Sequence, residues 1–280
     1  MLTGVHLWWF LISLVGALNI SIWIYSATRF AQQKHVIHPR FYPWRRWVFW
    51  LSGIYVLVCA FRSFLPRIDL ERVCLVSSWM SSMFVGRSLT TVAELAFIIQ
   101  CAILLREAGI GTKVRTATVV FWVIVPIIVI AEGFSWYAIV TTNYLGSVIE
   151  ESLWTVAGVL LLVSFIALWP RVSLRQRYFL GVMITYAFGF VLFMMFVDVP
   201  MYWSRWRVDV AHGVTYLSFV AGLQDMLRGC SVNFSLKKWH EEIPWMSLYF
   251  SVTVWISMAF AYAPSFKSTT QATTSRSDTT

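Results

Sequence analysis

Residues 85–105 read VGRSLTTVAELAFIIQCAILL, and this stretch decides the fold class. Its length matches the roughly 20 apolar residues that a helix needs to cross a bilayer. It nevertheless carries Arg87 and Glu94, and a charged side chain at bilayer depth costs about 2.5–3.5 kcal/mol on insertion scales. The stretch therefore predicts a membrane-spanning helix whose charged side chains face other parts of the protein.

The rest of the chain has the same apolar character. Hydrophobic residues make up 59% of the 280 residues and charged residues 12%, whereas soluble domains carry about 25% charged residues. The mean hydropathy is +0.69, which also indicates lipid as the solvent. Further spans are predicted at 7–25, 47–64, 118–137, 150–169, 178–197, 210–226 and 244–262.

Basic residues in the connecting loops predict the orientation of the bundle. Cytoplasmic loops carry an excess of Lys and Arg, and the first loop, 106–115 and 171–177 are all basic. We therefore expect these loops in the cytoplasm and the N-terminus outside. The first loop has no acidic residue and contains Arg29, Lys34, Arg40, Arg45 and Arg46.

The stretch 210–226 is the weakest predicted span because it contains His212, Gln224 and Asp225. We count it because the segment that follows is basic and is typical of a cytoplasmic loop. The prediction is an all-α polytopic transmembrane helical bundle with about eight spans. Without 210–226 there are seven spans, and the C-terminus lies inside. The basic residues concerned are Arg228, Lys237 and Lys238.

The spans leave room for one membrane domain, 1–264, and a Ser/Thr-rich tail, 265–280, which is predicted to be disordered. The net charge of +9 lies in short loops beside apolar spans, so nucleic acid is not an expected partner. The expected surroundings are the lipid bilayer, of the plasma membrane, and other membrane proteins. The four cysteines show no metal-binding spacing, and a disulfide framework is not expected.

The stretch 85–105 carries the first candidate site. Arg87, Thr91, Glu94 and Cys101 follow helical spacing and share one face. At 1.5 Å per residue, Glu94 lies about 16 Å from Leu105, near the bilayer centre. We expect Glu94 to bind a cation or proton, with Arg87 modulating it. The alternative is a structural ion pair, or a protonated glutamic acid that fixes helix packing.

A second cluster follows from the predicted topology, which puts six ionisable residues near the outer face at similar depth. Asp209 and His212 are three residues apart and can point to one spot. Carboxylates with an imidazole suit a divalent cation or a proton path, and Glu132, Asp209 and His212 are the metal candidates. The alternative is a set of solvated helix ends. The six residues are Glu132, Glu150, Glu151, Asp198, Asp209 and His212.

Two further patterns lie near the outer face. Arg205 and Arg207, placed among aromatic residues, predict either an anionic headgroup site or plain interfacial anchors. Ser78, Ser82 and Gly86 form a small-residue row, which is typical of close helix packing.

The sequence leaves the activity open, including whether the protein is an enzyme. It contains no P-loop, no GxSxG and no HExxH. The main hypothesis is a buried, outward-facing acidic site for a cation or proton, serving transport or sensing. One alternative is an intramembrane enzyme for a lipid or other amphiphile, with a divalent cation as cofactor. Another is a scaffold subunit of a membrane complex.

Overall fold

A computed structural model describes residues 4–32 and 39–266, so Lys34 and the predicted tail beyond residue 266 lie outside the described residues. The described part is almost entirely helical, which confirms the all-α prediction. The helices are α1 (Gly4–Gln32), α2 (Tyr42–Phe64), α3 (Met83–Thr112), α4 (Arg115–Thr141), α5 (Tyr144–Leu168), α6 (Leu174–Ala211), α7 (Phe219–Met226), α8 (Leu236–Trp239), α9 (Glu242–Phe250) and α10 (Val252–Phe260). Three two-residue strands complete the fold: β1 (Arg67–Ile68), β2 (Val73–Cys74) and β3 (Ser231–Val232).

Seven helical segments of the described chain are long and apolar enough to cross a membrane: α1 to α6, and α9 with α10 as the seventh. The prediction of about eight spans was wrong, and the seven-span alternative describes the fold. Residues 210–226 do not form a span because α6 continues to Ala211 and Gly213 then turns the chain with φ +64°. The following α7 has eight residues, about 12 Å of helix, and this is too short to cross.

The short helix α7 lies against the end of α4. A Cβ on Gly222 would stand 1.9 Å from the Val140 carbonyl oxygen, so only glycine allows this approach. The Leu217 N–H donates to the Thr141 carbonyl at 3.0 Å. Asp225, which counted against a span at 210–226, accepts a hydrogen bond from Arg72 Nε at 2.7 Å. Asp225 therefore joins α7 to the segment between α2 and α3.

The segments 65–82 and 212–241 lie on one face of the bundle, which we call the outer face after the predicted orientation. Strand β2 pairs antiparallel with β1 and parallel with β3, and a disulfide joins Cys74 to Cys230. The expectation of no disulfide was therefore wrong, since neither cysteine has a spacing signal in the sequence. Disulfides persist in oxidising compartments, so this bond agrees with an external location.

The basic segment that contains Arg228, Lys237 and Lys238 therefore lies on the same face as residues 65–82, which the predicted orientation puts outside, and the expectation of a cytoplasmic loop there does not agree with that orientation. One of the segment's charges is compensated by another loop, because Lys238 Nζ lies 2.5 Å from Glu71 Oε2. The positive-inside pattern does not distinguish a free basic residue from one that is paired with an acid in another loop.

Helices α1 to α6 pack in chain order, and the seventh span returns against α1, α2 and α3. The break between α9 and α10 at Ser251 frees the Phe250 carbonyl. Buried Asn19 of α1 donates to that carbonyl at 2.9 Å and accepts a hydrogen bond from Trp255 Nε1 at 2.9 Å. The seventh span is thereby fixed on the α1–α3 side. Its contact with α6 is sparser, and a cavity lies between them.

Candidate functional site

The cavity has a volume of about 440 Å³ and lies among α2 to α6 and the seventh span. It is amphiphilic along its length. At the outer end it is lined by charged residues: Arg62, Arg67, Asp69, Arg87, Glu94, Glu150, Glu151, Asp198, Arg205 and Glu242. At the inner end it is lined by Phe97, Cys101, Phe165, Met183, Tyr186 and Phe260.

Arg87 of α3 is the centre of the charged group. Its Nη2 donates to Glu94 Oε2 at 2.9 Å and to Glu132 Oε2 at 2.5 Å. Its Nη1 lies 3.5 Å from Glu150 Oε1. The long arginine side chain spans the two helical turns to Glu94 directly. One guanidinium therefore holds carboxyls from α3, α4 and α5.

Neighbouring donors complete part of this group. Thr91 Oγ1 donates to Glu132 Oε2 at 2.6 Å, Trp136 Nε1 donates to Thr91 Oγ1 at 3.0 Å, and Tyr249 OH donates to Glu94 Oε1 at 3.3 Å. Among the described residues, buried Glu132 Oε1 and Arg87 Nε have no hydrogen-bond partner. Buried polar groups are normally paired, so the network retains capacity for a proton, water or ion.

A π-helical turn at Met194–Asp198 positions Asp198. Proline removes a backbone donor and crowds the carbonyl four residues before it, and the wider turn accommodates Pro200 without ending the helix. Asp198 was expected at an ordinary helix exit; it lies within α6, is 7% exposed and lines the cavity. Neither Asp198 nor Glu151 forms an ion pair with any residue in the described ranges.

Arg205 closes the outer end of the cavity between α6 and α9. Both Nη1 and Nη2 donate to Glu242 Oε1 at 3.2 Å, and Nη2 also donates to Glu241. The hydrogen bond from Arg205 lowers the pKa of Glu241, which lies outside the spans. The guanidinium stacks over Tyr144 and Tyr202 at 5.7 and 5.6 Å. Arg205 is therefore already engaged by carboxyls, and the headgroup-site prediction for Arg205 and exposed Arg207 stays a prediction.

A third charged group lies at the outer end of α2 and was not predicted from the sequence. Arg67 Nε donates to Asp69 Oδ1 at 2.8 Å, and Arg62 Nη2 lies 3.8 Å from Asp69 Oδ2. Burial lowers the pKa of Arg67 to about 10. Burial also acts to raise the pKa of Asp69, but the neighbouring guanidiniums, Arg67 first, hold it below its ordinary value.

Gly86 gives Arg67 its space. A Cβ on Gly86 would stand 1.3 Å from Arg67 Nη2. The predicted small-residue row therefore serves other purposes than helix packing: Ser78 and Ser82 cap the helical turns that follow them, and Gly86 accommodates a guanidinium.

The structure thus brings Arg87, Glu94 and Glu132 together and places Asp198 on the same cavity. It does not bring Asp209 or His212 there: neither lines the cavity, and His212 is exposed on the outer end of α6, with Nδ1 2.8 Å from the Val208 carbonyl. The metal candidates Glu132, Asp209 and His212 do not converge. In the ranges 4–32 and 39–266, no three His, Cys, Asp or Glu residues are arranged to hold a metal ion.

Comparison of the chain with protein-family models, with curated proteins and with solved structures gives no match.

The balance of charges at the outer end of the cavity indicates what it can bind. With Glu132 included, the outer end contains seven carboxyls and four guanidiniums. Buried charges without compensation are costly, so the surplus carboxyls require protons or a bound cation.

Proposed function

We propose that this multi-pass membrane protein binds a cation or protons in its cavity from the outer face and uses that binding in transport or sensing. The supporting observation is the ratio of charges around Arg87, where one guanidinium faces Glu94, Glu132 and Glu150 within 3.5 Å. Coulomb repulsion among three carboxylates in a poorly hydrated site is relieved when protons or a cation neutralise them.

Glu94 is the central group of this proposal. It contacts the cavity directly, is 9% exposed, and receives hydrogen bonds from Arg87 and Tyr249. Asp198 and Glu151 line the path from the outer end and have no cation of their own among the described residues. An incoming ion would therefore meet these two carboxyls first and the Arg87 group next.

The mouth of this path is formed by Arg205 with Glu241 and Glu242. These contacts join α6 to the start of the seventh span. Glu242 is 3% exposed and Arg205 18%, so their pair is largely buried, whereas Glu241 is 44% exposed. Exposed pairs contribute little, so the Arg205–Glu241 contact is the weaker of the two. Arg205 therefore marks the mouth of the site in the proposed function, and Asp209 and His212 are left outside it.

A second candidate function is an intramembrane enzyme for a lipid or other amphiphile. The observation that favours it is the continuation of the charged cavity into an aromatic inner half, which would hold an apolar chain. In that case the Arg87 group would provide acid and base groups to the polar end. A turnover assay with lipid extracts, lost in Glu94→Gln, distinguishes it from binding alone.

The first test is cation binding by the protein in lipid nanodiscs, measured as proton release into weakly buffered medium and as a shift of the unfolding temperature. A ligand that binds only the folded protein stabilises it in proportion to its occupancy. We expect one of Na⁺, K⁺, Mg²⁺ or Ca²⁺ to release protons and raise the unfolding temperature. In Glu94→Gln, both effects should require a cation concentration at least tenfold higher.

The matched control is Glu107→Gln, which removes a carboxyl at the inner end of α3, where it pairs with exposed Arg106. This variant should respond to the cations as the parent does. The absence of proton release and of stabilisation across the four cations and between pH 5 and 9, with Glu94→Gln unchanged, would contradict the proposal. Loss of function only on lipid-facing substitution would then favour a scaffold subunit.

A further inference from the structure

The cavity changes character along its length, and this defines the shape of molecule that fits it. Its volume of about 440 Å³ lies within the roughly 300–1,000 Å³ of small-molecule sites. A bare inorganic ion would occupy the carboxyl-lined outer end and leave the aromatic inner half empty. A molecule with a polar head and an apolar body contacts both halves.

The charge of the ligand's polar head can be inferred from which charged side chains of the cavity lack an ion-pair partner. Every guanidinium that lines the cavity lies within 4 Å of a carboxyl: Arg62 and Arg67 at Asp69, Arg87 at three glutamates, and Arg205 at Glu242. Asp198 is only 7% exposed and lines the cavity. It has no ion pair among the described residues. A cationic head therefore finds an open carboxyl, while an anionic head meets repulsion.

Aromatic rings surround the same end. Tyr202, Trp154 and Tyr249 line the cavity. Tyr202 lies one helical turn after Asp198 on α6, and Trp154 lies one turn after Glu151 on α5. An ammonium group over an aromatic face within about 6 Å gains about 0.5–2 kcal/mol. Carboxyls combined with aromatic faces favour an organic cation over a hydrated metal ion.

A groove between α6 and α10, lined by apolar residues apart from Arg177, Thr185 and the tyrosine hydroxyls, continues the cavity toward the outside of the bundle. It has a volume of about 490 Å³ and shares Thr185, Tyr186 and Val252 with the cavity. On its lipid side it is bordered by Tyr178 and Val182, both exposed. The hydrogen bond between Tyr186 OH and Thr253 Oγ1 at 2.7 Å joins the two helices where cavity and groove meet.

We propose that the cavity binds an amphiphilic organic cation, with an ammonium head at Asp198 and Glu151 and an apolar body that extends to the α6–α10 groove. This rests on the proposed function, since it names the cation of that same cavity. The unpaired Asp198 carboxyl favours a positively charged head. The groove provides a place for the apolar body of the ligand.

The test is equilibrium dialysis of radiolabelled butyl-, hexyl- and octyltrimethylammonium against the protein in nanodiscs, with empty nanodiscs subtracted. The sulfonates of the same chain lengths serve as probes of opposite charge. We expect the ammonium of each length to bind at least tenfold more tightly than the sulfonate. Affinity should rise about threefold to fourfold per added methylene as apolar surface is buried.

Three variants locate the site. Asp198→Asn and Glu151→Gln should each weaken ammonium binding about tenfold or more, while Glu107→Gln should leave it unchanged. Thr185→Trp, which fills the junction of cavity and groove, should remove the gain with chain length and spare butyltrimethylammonium. Equal binding of both charge types, or binding that Asp198→Asn and Glu151→Gln leave unchanged, overturns the proposal.

The two proposals fail in different ways. If inorganic cations or protons act through Glu94 but no ammonium probe binds, the cation site stands and the organic ligand is excluded. If ammonium probes bind in the predicted way and Glu94→Gln alters the response to protons or inorganic cations, both stand. If ammonium probes bind without that response, the organic-cation site at Asp198 and Glu151 stands and the role of Glu94 is excluded. If neither Glu94→Gln nor Asp198→Asn changes the binding of inorganic cations or of ammonium probes, both proposals are contradicted.

Discussion

Arg87 and Glu94 lie two helical turns apart on α3, yet Arg87 Nη2 donates directly to Glu94 Oε2 at 2.9 Å. The extended arginine side chain lies along the helix and places its guanidinium beside Glu132 of α4 and Glu150 of α5. A residue pair on one helix thereby becomes the junction of three helices. This geometry makes Arg87 the only guanidinium in the described structure that contacts carboxyls from α3, α4 and α5 together.

Removing Arg87 should therefore be severely destabilising. Breaking a buried ion pair by deleting one partner costs about 3–5 kcal/mol, and Arg87→Met would leave three carboxyls without a counter-charge. We expect a lower unfolding temperature and a requirement for acidic pH. Arg106→Met is the control, because the Arg106 side chain is 54% exposed and exposed ion pairs contribute about 0–1 kcal/mol.

The Arg87→Met/Glu132→Gln double variant should recover part of the lost stability, because it removes one surplus charge. A double-mutant cycle of thermal unfolding in detergent measures this coupling. Additive losses from the two substitutions would show that the contact contributes no specific stabilisation.

Gly86→Ala should displace Arg67. The added Cβ would stand 1.3 Å from Arg67 Nη2, so the guanidinium must leave its buried position beside Asp69. Overpacking of this kind costs about 1–3 kcal/mol. Unfolding measurements compare it with Gly133→Ala, whose Cβ meets no atom within 4 Å and which should be neutral or up to about 1 kcal/mol more stable. Equal behaviour of the two variants would contradict the prediction.

The helical stripe of α3 was predictable because its spacing lies within one element. Arg87 and Glu94 repeat with helical period, and the apolar context requires both to face inward. The partners of a buried charge are predictable only as far as topology is known. Glu132 and Glu150 reach Arg87 because α3, α4 and α5 are adjacent, and the sequence places them at one depth without fixing their lateral order.

Asp198 and the stretch 210–226 show where local rules fail. Pro200 two residues after Asp198 is typical of a helix end, and only the π-helical turn, which has no sequence signal, carries α6 past it. The misassigned span had a similar origin. Lys238 was read as a topology signal because its partner Glu71 is far away in sequence, and the Cys74–Cys230 disulfide that joins their segments has no spacing pattern.

Asp69 should make stability depend on pH in the acidic range. Its pKa is held below its ordinary value, because Arg67 and its neighbours outweigh the effect of burial. A carboxyl with a lowered folded-state pKa stabilises the protein above its unfolded value, about 3.9, and this contribution disappears as pH falls through the folded value. We expect Asp69→Asn to be destabilised by about 3–5 kcal/mol at pH 7, with the gap narrowing below about pH 4.

The measurement is thermal unfolding of parent and Asp69→Asn at pH 7, 5, 4 and 3. Glu107→Gln, at the opposite end of the bundle, controls for general acid effects. A gap between parent and Asp69→Asn that is constant or widens toward pH 3 would show that the Arg67 contact does not stabilise the ionised carboxyl.

The seven-span fold predicts that Gly4 and Phe260, at the two ends of the described bundle, lie on opposite sides of the membrane. With the first span entering from outside as predicted, seven crossings place the chain after Phe260 in the cytoplasm. The segment around Cys74 and Cys230 is then external, where the disulfide persists. Epitope tags at each end, probed before and after permeabilisation of cells, should show the N-terminal tag accessible first and the C-terminal tag only afterwards.

The loops provide an independent check of the same topology. A cysteine introduced at exposed Ser204 on the outer part of α6 should react with a membrane-impermeant maleimide in intact cells, while one introduced at exposed Arg175 should not. Reduction should lower the unfolding temperature, because a cross-link over 156 residues restricts the unfolded chain by about 4–5 kcal/mol. Labelling at Arg175→Cys without permeabilisation would reverse the orientation, and two termini on one side would restore an even number of spans.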